Sequence, residues 1–227
     1  MITIMKLRFC LCLPLLLAAA SGAAQADSAR VTKNFEFADG VYLAFGEFRA
    51  NRPALSWEDV EAQLVTSQQA FLAQAEYIRR KDGQPLSPDS IWGICLEGTP
   101  FIRLPDTATD KQAMAFAGLR VRGRICYYAY DVEETKMIEI AAYNPLTGRP
   151  FRKGAVARKE AVTREEMLHF EDGRQSPFHK EAFLDWIADD PQLWRTVAEL
   201  PEEELEEKLY KCLLIYDDRN PAYVPVR

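Results

Sequence analysis

Residues 116–130, FAGLRVRGRICYYAY, carry two interleaved sets of side chains. Leu119, Val121, Ile125 and Tyr127 share one parity, and Arg120, Arg122, Arg124, Tyr128 and Tyr130 share the other. Side chains of a β-strand alternate between faces. The spacing therefore predicts one apolar face and one face bearing three guanidiniums that ends in two phenols. A helix would scatter the arginines around its circumference, so the run reads as a long, half-buried antiparallel strand over 116–131, in the middle of a sheet.

Working outward toward the C-terminus, Met137 to Tyr143 reads as the next strand, and Asn144-Pro145-Leu146-Thr147-Gly148 as a tight turn into a basic segment with Arg149, Arg152, Lys153, Arg158 and Lys159. Met167 to Phe170 is a last short strand, ended by Glu171-Asp172-Gly173. Three helical patterns follow. Ser176 is a good N-cap with Pro177 at the first helical position, and Phe178, Ala182, Phe183, Trp186 and Ile187 form its apolar face. Asp190-Pro191 starts a second helix with Leu193, Trp194, Val197 and Leu200 inward, and Pro201 a third with Leu205, Leu209, Leu213 and Tyr216 at helical spacing.

Toward the N-terminus, Ile91–Leu96 and Pro100–Leu104 flank Glu97-Gly98-Thr99 as a hairpin, and Lys81-Asp82-Gly83-Gln84 is a turn after a strand over 76–80. Pro105 to Gln112 is a polar loop. Ser56 with Asp59 three residues later approximates a capping box and predicts a helix from Trp57 with Val60 and Leu64 inward. Gly40 to Phe45 reads as a first strand, followed by a short turn through Glu47 and Phe48. The fold class predicted is α+β: an antiparallel β-sheet of about six or seven strands, open or barrel-like, followed by three short C-terminal α-helices.

The first 26 residues stand apart. Lys6 and Arg8, an apolar run over 11–20 and the small-x-small site Ala24-Gln25-Ala26 form the pattern of a secretory signal peptide, with cleavage expected after Ala26. The apolar run falls short of the ~20 residues a membrane span needs, and Cys10 and Cys12 sit inside it, away from a lipobox position. Residues 27–227 are then expected as a single α+β domain, mainly β over 27–175 and helical over 176–220, in the periplasm or secreted. The leader holds two of the 28 Lys+Arg and none of the 34 Asp+Glu, leaving −8 for the remainder. Residues 161–227 hold 8 basic and 16 acidic side chains, a balance that speaks against nucleic acid as a partner.

Few side chains are placed for catalysis. His169 and His179 lie near Glu165, Glu166, Glu171 and Asp172, but their spacing matches no metal motif, and neither a metal nor a cofactor is expected. No G-x-S-x-G, G-x-x-x-x-G-K or H-E-x-x-H occurs. A Cys–His nucleophile would need Cys95 or Cys126 within reach of a histidine and an electropositive setting. Three cysteines remain after the leader, and an odd count leaves one over. Export permits a disulfide, for which Cys95 and Cys126, each on a predicted strand, are the expected pair; three buried thiols is the other reading.

The most specific polar feature is the arginine row. Arg120, Arg122 and Arg124 would stand about 7 Å apart along one face. One reading is a solvent face paired across strands with Glu139 or other acids. The other is a contact surface for an anionic glycan, lipid headgroup or acidic partner, with Tyr128 and Tyr130 stacking at its end.

Gly40-Val41-Tyr42-Leu43 with Phe45, Phe48, Asn51 and Pro53, then Ile91-Trp92-Gly93, and finally Asn220-Pro221 with Tyr223 and Pro225 give the chain a family likeness. On these motifs it resembles a group of exported proteins of Bacteroidota-type bacteria without an assigned activity. The resemblance implies export and a single domain and carries no catalytic residue over. The function expected from the whole sequence is a non-enzymatic binding or interaction protein contacting an anionic envelope ligand or an envelope partner. The alternatives are an envelope hydrolase acting on glycan or peptide, and a subunit that lends a sheet edge to a partner.

Overall fold

The computed structural model of the chain describes residues 28–84, 86–105, 113–143, 145, 146, 148 and 150–226. The expected leader, most of the expected loop over 105–112 and part of the turn over 144–149 lie outside the described residues. In chain order the elements are β1 (Ser28–Arg30), β2 (Gly40–Tyr42), α1 (Phe45–Arg49), β3 (Val60–Ser67), β4 (Leu72–Arg80), β5 (Gly93–Leu96), β6 (Thr99–Arg103) and β7 (Met114–Gly118). Then come β8 (Ile125–Tyr143), β9 (Pro150–His169), β10 (Gln175–Pro177), α2 (Lys180–Trp186), α3 (Pro191–Ala198), α4 (Glu202–Arg219) and β11 (Tyr223–Pro225). Every pairing is antiparallel, so the class is α+β as expected.

Six strands form a curled half-barrel in the order β2-β5-β6-β7-β4-β3. A second sheet, β10-β9-β8, and the two-stranded ribbon β1-β11 complete the β structure. The paired stretch of β8 and β9 nearest Ile125 is the middle layer. Because its side chains alternate, Cys126, Tyr128, Tyr130 and Leu168 pack toward the half-barrel with Tyr42, Phe48 and Ile102. Ile125, Tyr127, Ala129 and Met167 pack toward the helices with Phe183, Leu193, Leu213 and Tyr216. A third cluster, with Val41, Ile94 and Phe116, fills the other side of the six-stranded sheet. Each large apolar side chain buried in these layers contributes about 1.5–3 kcal/mol.

The expected strand over 116–131 is broken in two. At Gly118 the chain leaves β7, and the amides of Arg120 and Val121 both donate to the carbonyl of Tyr127 (2.8 and 3.2 Å), while Tyr127 donates back to Val121 (3.1 Å). Residues 119–124 are thus a tight reversal. Gly123 sits under the carboxyl of Asp217, where an added Cβ would lie 2.3 Å from its carboxyl carbon, so a side chain has no room there.

The helix expected from Trp57 is strand β3. The Ser56–Asp59 contact exists (Ser56 Oγ donates to Asp59 Oδ2, 2.8 Å), but it closes a turn ahead of the β3–β4 hairpin. Val60 and Leu64 lie four apart, a spacing that fits both a helical face and one parity of a strand. The short turn at Glu47–Phe48 is the one-turn helix α1, whose Glu47 carboxylate accepts from the amides of Leu43 and Ala44. The three C-terminal helices form, though α2 is capped by His179 instead of Ser176, since Pro177 belongs to β10. Asp190 caps α3 through the amide of Leu193 (3.0 Å).

The strands expected at 137–143 and 167–170 are parts of something longer. β8 and β9 pair over 19 positions, far past the core. Beyond Val132 and Val162 the side chains of residues 133–141, 143 and 153–161 are exposed or half-exposed, and this distal part projects as an arm. Met167, 0% exposed, and Met137, 66% exposed, sit on the same hairpin on either side of that border. Met167→Ala is expected to cost about 2–5 kcal/mol of unfolding free energy, and Met137→Ala less than about 0.5. Urea denaturation of the two variants checks this; equal losses would contradict the border drawn here.

Candidate binding cleft

The reversal over 119–124 does not present its arginines as a row. Each enters a different environment. Arg124 turns toward the helices, where its Nη1 lies 2.8 Å from Asp189 Oδ2 and its guanidinium 6.0 Å from the centre of the Tyr216 ring. Arg122 is half-buried. Its Nη1 donates to the carbonyls of Phe35 (2.8 Å) and Gly98 (3.2 Å), and its Nη2 to that of Lys33 (2.7 Å). Arg120 is exposed; it donates to the carbonyl of Ala70 (3.3 Å) and leans over Phe71. The expected arginine–tyrosine face is therefore not formed. Tyr128 and Tyr130, 4% and 7% exposed, stack on each other inside the core with ring centres 6.3 Å apart, so no ligand stacks there.

What does form is a cleft of about 510 Å³ that Arg120 and Arg122 share with residues far away in sequence. Arg30 and Lys33 come from β1 and the segment after it, and Tyr210, Asp217 and Asp218 from α4. Arg124, Tyr128 and Tyr130 are not among its lining residues. Its floor is the reversal itself. Asp217 Oδ1 accepts from the amide of Ile125 (2.9 Å), while its Oδ2 is buried without a hydrogen-bond partner. Burial pushes the Asp217 carboxyl up to about 7, against which the turn amides and Arg124 pull only partly. Asp218 meets Arg30 at 3.3 Å near the surface. The cleft thus joins four cations to one exposed acid, Asp218, and one acid held in its floor, Asp217. A second groove of about 560 Å³, between the β3–β4 turn and the β5–β6 turn, offers one ionisable side chain, Glu97, and no comparable chemistry.

The remaining candidates are apart from this cleft and from each other. Cys95 and Cys126 do not form the expected disulfide; both are free and fully buried, and Cys212 is free and buried in the helical layer. The two strand cysteines belong to the same apolar cluster, and burial pushes the Cys126 thiol up to about 12 and that of Cys95 upward as well. Cys126 and His169 sit at adjacent rungs but on opposite faces of the β8–β9 pair, because Cys126 pairs with Leu168 and His169 with Ile125. A thiolate–imidazole pair is thus blocked by strand parity. His169 lies under Trp186, its Nδ1 3.1 Å from Asp172 Oδ1 without hydrogen-bond geometry. His179 is spent as the α2 cap, accepting from Ala182 (3.3 Å). Among the described residues no three His, Cys, Asp or Glu side chains converge as metal ligands.

Comparison with protein-family models, curated proteins and solved structures gives no match. The residues behind the family resemblance have structural jobs. Gly40 takes φ +146° with its Cα against the carbonyl of Leu55, and Asn51 accepts from the amide of Ala38 (2.7 Å). Sequence reasoning missed Arg30, Lys33, Tyr210 and Asp217. Their sole advance signal was an apolar helix pattern that placed Asp217 one residue after the buried Tyr216.

Buried, protonated thiols do not react. In the native protein Cys95, Cys126 and Cys212 are expected to resist a disulfide reagent such as dithiobis-nitrobenzoate at pH 8 and to react together once denaturant is added. Prompt reaction of one thiol in the native state would contradict the burial described.

Proposed function

We propose that the chain is an exported, non-enzymatic binding protein whose cleft between β1, the 119–124 reversal and α4 takes a small anionic group, such as a sulfated or phosphorylated sugar or headgroup. The observation that carries this reading is the convergence of Arg30, Lys33, Arg120 and Arg122 from two distant parts of the chain on one cleft of ligand size. Arg120 and Lys33 are exposed at its rim, Arg120 held by the Ala70 carbonyl and the Phe71 ring, while Arg122 fixes the wall by donating to three carbonyls. Tyr210 adds an amphipathic ring on the opposite side. The two acids are committed elsewhere: Asp217 holds the turn and Asp218 meets Arg30, which does not leave an acid and a base facing each other across a gap.

Calorimetric titration with a sulfated disaccharide tests the site, since so small a probe reports the cleft alone. Arg120→Glu is expected to weaken binding about tenfold or more, equivalent to ~1.4 kcal/mol, without a change in unfolding temperature. Binding that is absent from the wild type, or equal in the variant, overturns the proposal. Arg122→Ala behaves differently: it removes the shared donor of two part-buried carbonyls, those of Phe35 and Gly98, and is expected to cost about 1–3 kcal/mol of stability.

Asp217 makes the site pH-dependent. Its folded-state value of about 7 lies above the ordinary 3.8, so the folded protein holds this proton more tightly than the unfolded chain. The group's contribution to stability is complete below about pH 4 and is lost as the pH rises toward 7. Protonation also removes a negative charge from the cleft floor. Disaccharide binding is expected to be stronger at pH 6 than at pH 8, and Asp217→Asn, which keeps an acceptor for the Ile125 amide, is expected to abolish that difference and the associated slope in stability.

A further inference from the structure

The arm formed by the distal parts of β8 and β9 has chemistry that the cleft does not use. From Glu133 to Tyr143 it spans about 33 Å at the rise of a β-strand. Ile138 faces Val156 across the ladder on one side, Met137 faces Ala157 on the other, and Ile140 and Tyr143 continue toward the turn. Met137, Ile138, Ile140, Tyr143 and Val156 are 66%, 38%, 53%, 61% and 48% exposed. A two-stranded ribbon with no further layer is marginally stable in water, and a run of exposed apolar side chains along it marks a contact surface. The distribution is lengthwise, with Glu139 in its midst, which suits a protein surface better than a lipid bilayer entered tip first.

Charge identifies the partner. Over 133–160 the sequence holds six Lys and Arg against four Glu, and since Lys136 and Lys159 pair with Glu160 and Glu133 the excess of positive charge lies nearer the turn, in a chain that is net negative. The complementary surface is on the same molecule. Helix α4 opens with Glu202 and Glu203 exposed, continues with exposed Glu206 and Glu207, and carries Ile215 at 44% exposure beside Leu214, which borders the cleft. At 18 residues it is about 27 Å long, a length the arm covers. The β8–β9 ladder runs without a register shift from Ile125 to Ala141, so there is no bulge at which it bends back.

We propose that two copies of the chain form a twofold dimer in which each arm lies along the acidic α4 face of the other. Such an exchange is isologous and closes on itself. It buries Ile138, Ile140 and Val156, which share one face of each arm, and sets Arg158 of that same face against the excess carboxylates of α4.

The mass of the purified protein in solution, by light scattering on a sizing column, tests this. At low salt the wild type is expected at twice the chain mass, moving toward one chain mass as salt screens the contact. Ile138→Lys with Ile140→Lys is expected to give single chains with an unchanged circular dichroism spectrum and an unfolding temperature that no longer depends on protein concentration. Two charge reversals provide the specific test. The arm variant Arg158→Glu, on the face of Ile138 and Ile140, and the helix variant Glu203→Lys with Glu206→Lys are each expected as single chains, and their mixture as a dimer. A wild type that stays at one chain mass in low salt, a dimer that survives the arm variants, or a charge-reversed mixture that does not associate would each overturn the proposal. Arg120→Glu leaves the mass unchanged, so the cleft and the arm fail or stand separately.

Discussion

The fold depends on a strand pair that is buried on both faces. In most antiparallel sheets one face meets water; here the base of β8–β9 is sandwiched between the half-barrel and the helices, and alternate residues serve two different cores. A slip of one residue would exchange Tyr128 and Tyr130 with Tyr127 and Ala129 and leave neither core filled, so the register is strongly specified. The phenols that come with this burial are handled individually. Tyr127 donates to Glu165 (2.5 Å), Tyr216 to Asp189 (2.8 Å) and Tyr42 to the carbonyl of Ala38 (2.6 Å). Burial pushes all three phenols upward, so they stay protonated donors.

The same double burial explains what the sequence made legible and what it hid. From Ile125 onward the parity of the central run was a sound guide, because that part is a strand: Ile125 and Tyr127 share one face, Tyr128 and Tyr130 the other. Its error was to treat the second face as solvent. A tyrosine is at home in a core once its hydroxyl is paired, so period-two spacing cannot tell a half-buried strand from a doubly buried one. Before Ile125 the alternation of Arg120, Arg122 and Arg124 was coincidental, since Gly118 and Gly123 mark a reversal where parity has no meaning. Val60 and Leu64 failed for a related reason, fitting two periods at once. The C-terminal helices were legible because Asp190-Pro191 and Pro201 punctuate them chemically.

The cleft was out of sight for a different reason. Arg30 and Asp218 stand 188 positions apart, and they meet because β1 and β11 pair and bring both ends of the described chain to one side of the reversal. Nothing local in either segment announces this. The reversal also explains why cation and acid coexist there. Its amides need an acceptor, supplied by Asp217, and the carbonyls of the neighbouring segments need a donor, supplied by Arg122. Both charged groups are therefore parts of the wall before they are parts of any site, and the charge left for a ligand belongs to Arg120 and Lys33 at the rim.

The arm poses the opposite problem: a long exposed ribbon must avoid its own kind. Open strand edges invite pairing with identical edges and, from there, aggregation. β9 carries Lys153, Arg158 and Lys159 along its exposed part, and two such edges brought together would set cation against cation. The ion pairs Lys136–Glu160 and Lys159–Glu133 hold the ribbon together where it leaves the core, yet the stretch nearer the turn keeps its excess of positive charge. Repulsion between arms thus removes edge-to-edge association, while the apolar side chains between those charges still favour a covering surface. A surface that is both apolar and acidic satisfies the two demands together. The residues that prevent the wrong association are then the residues that select the right one.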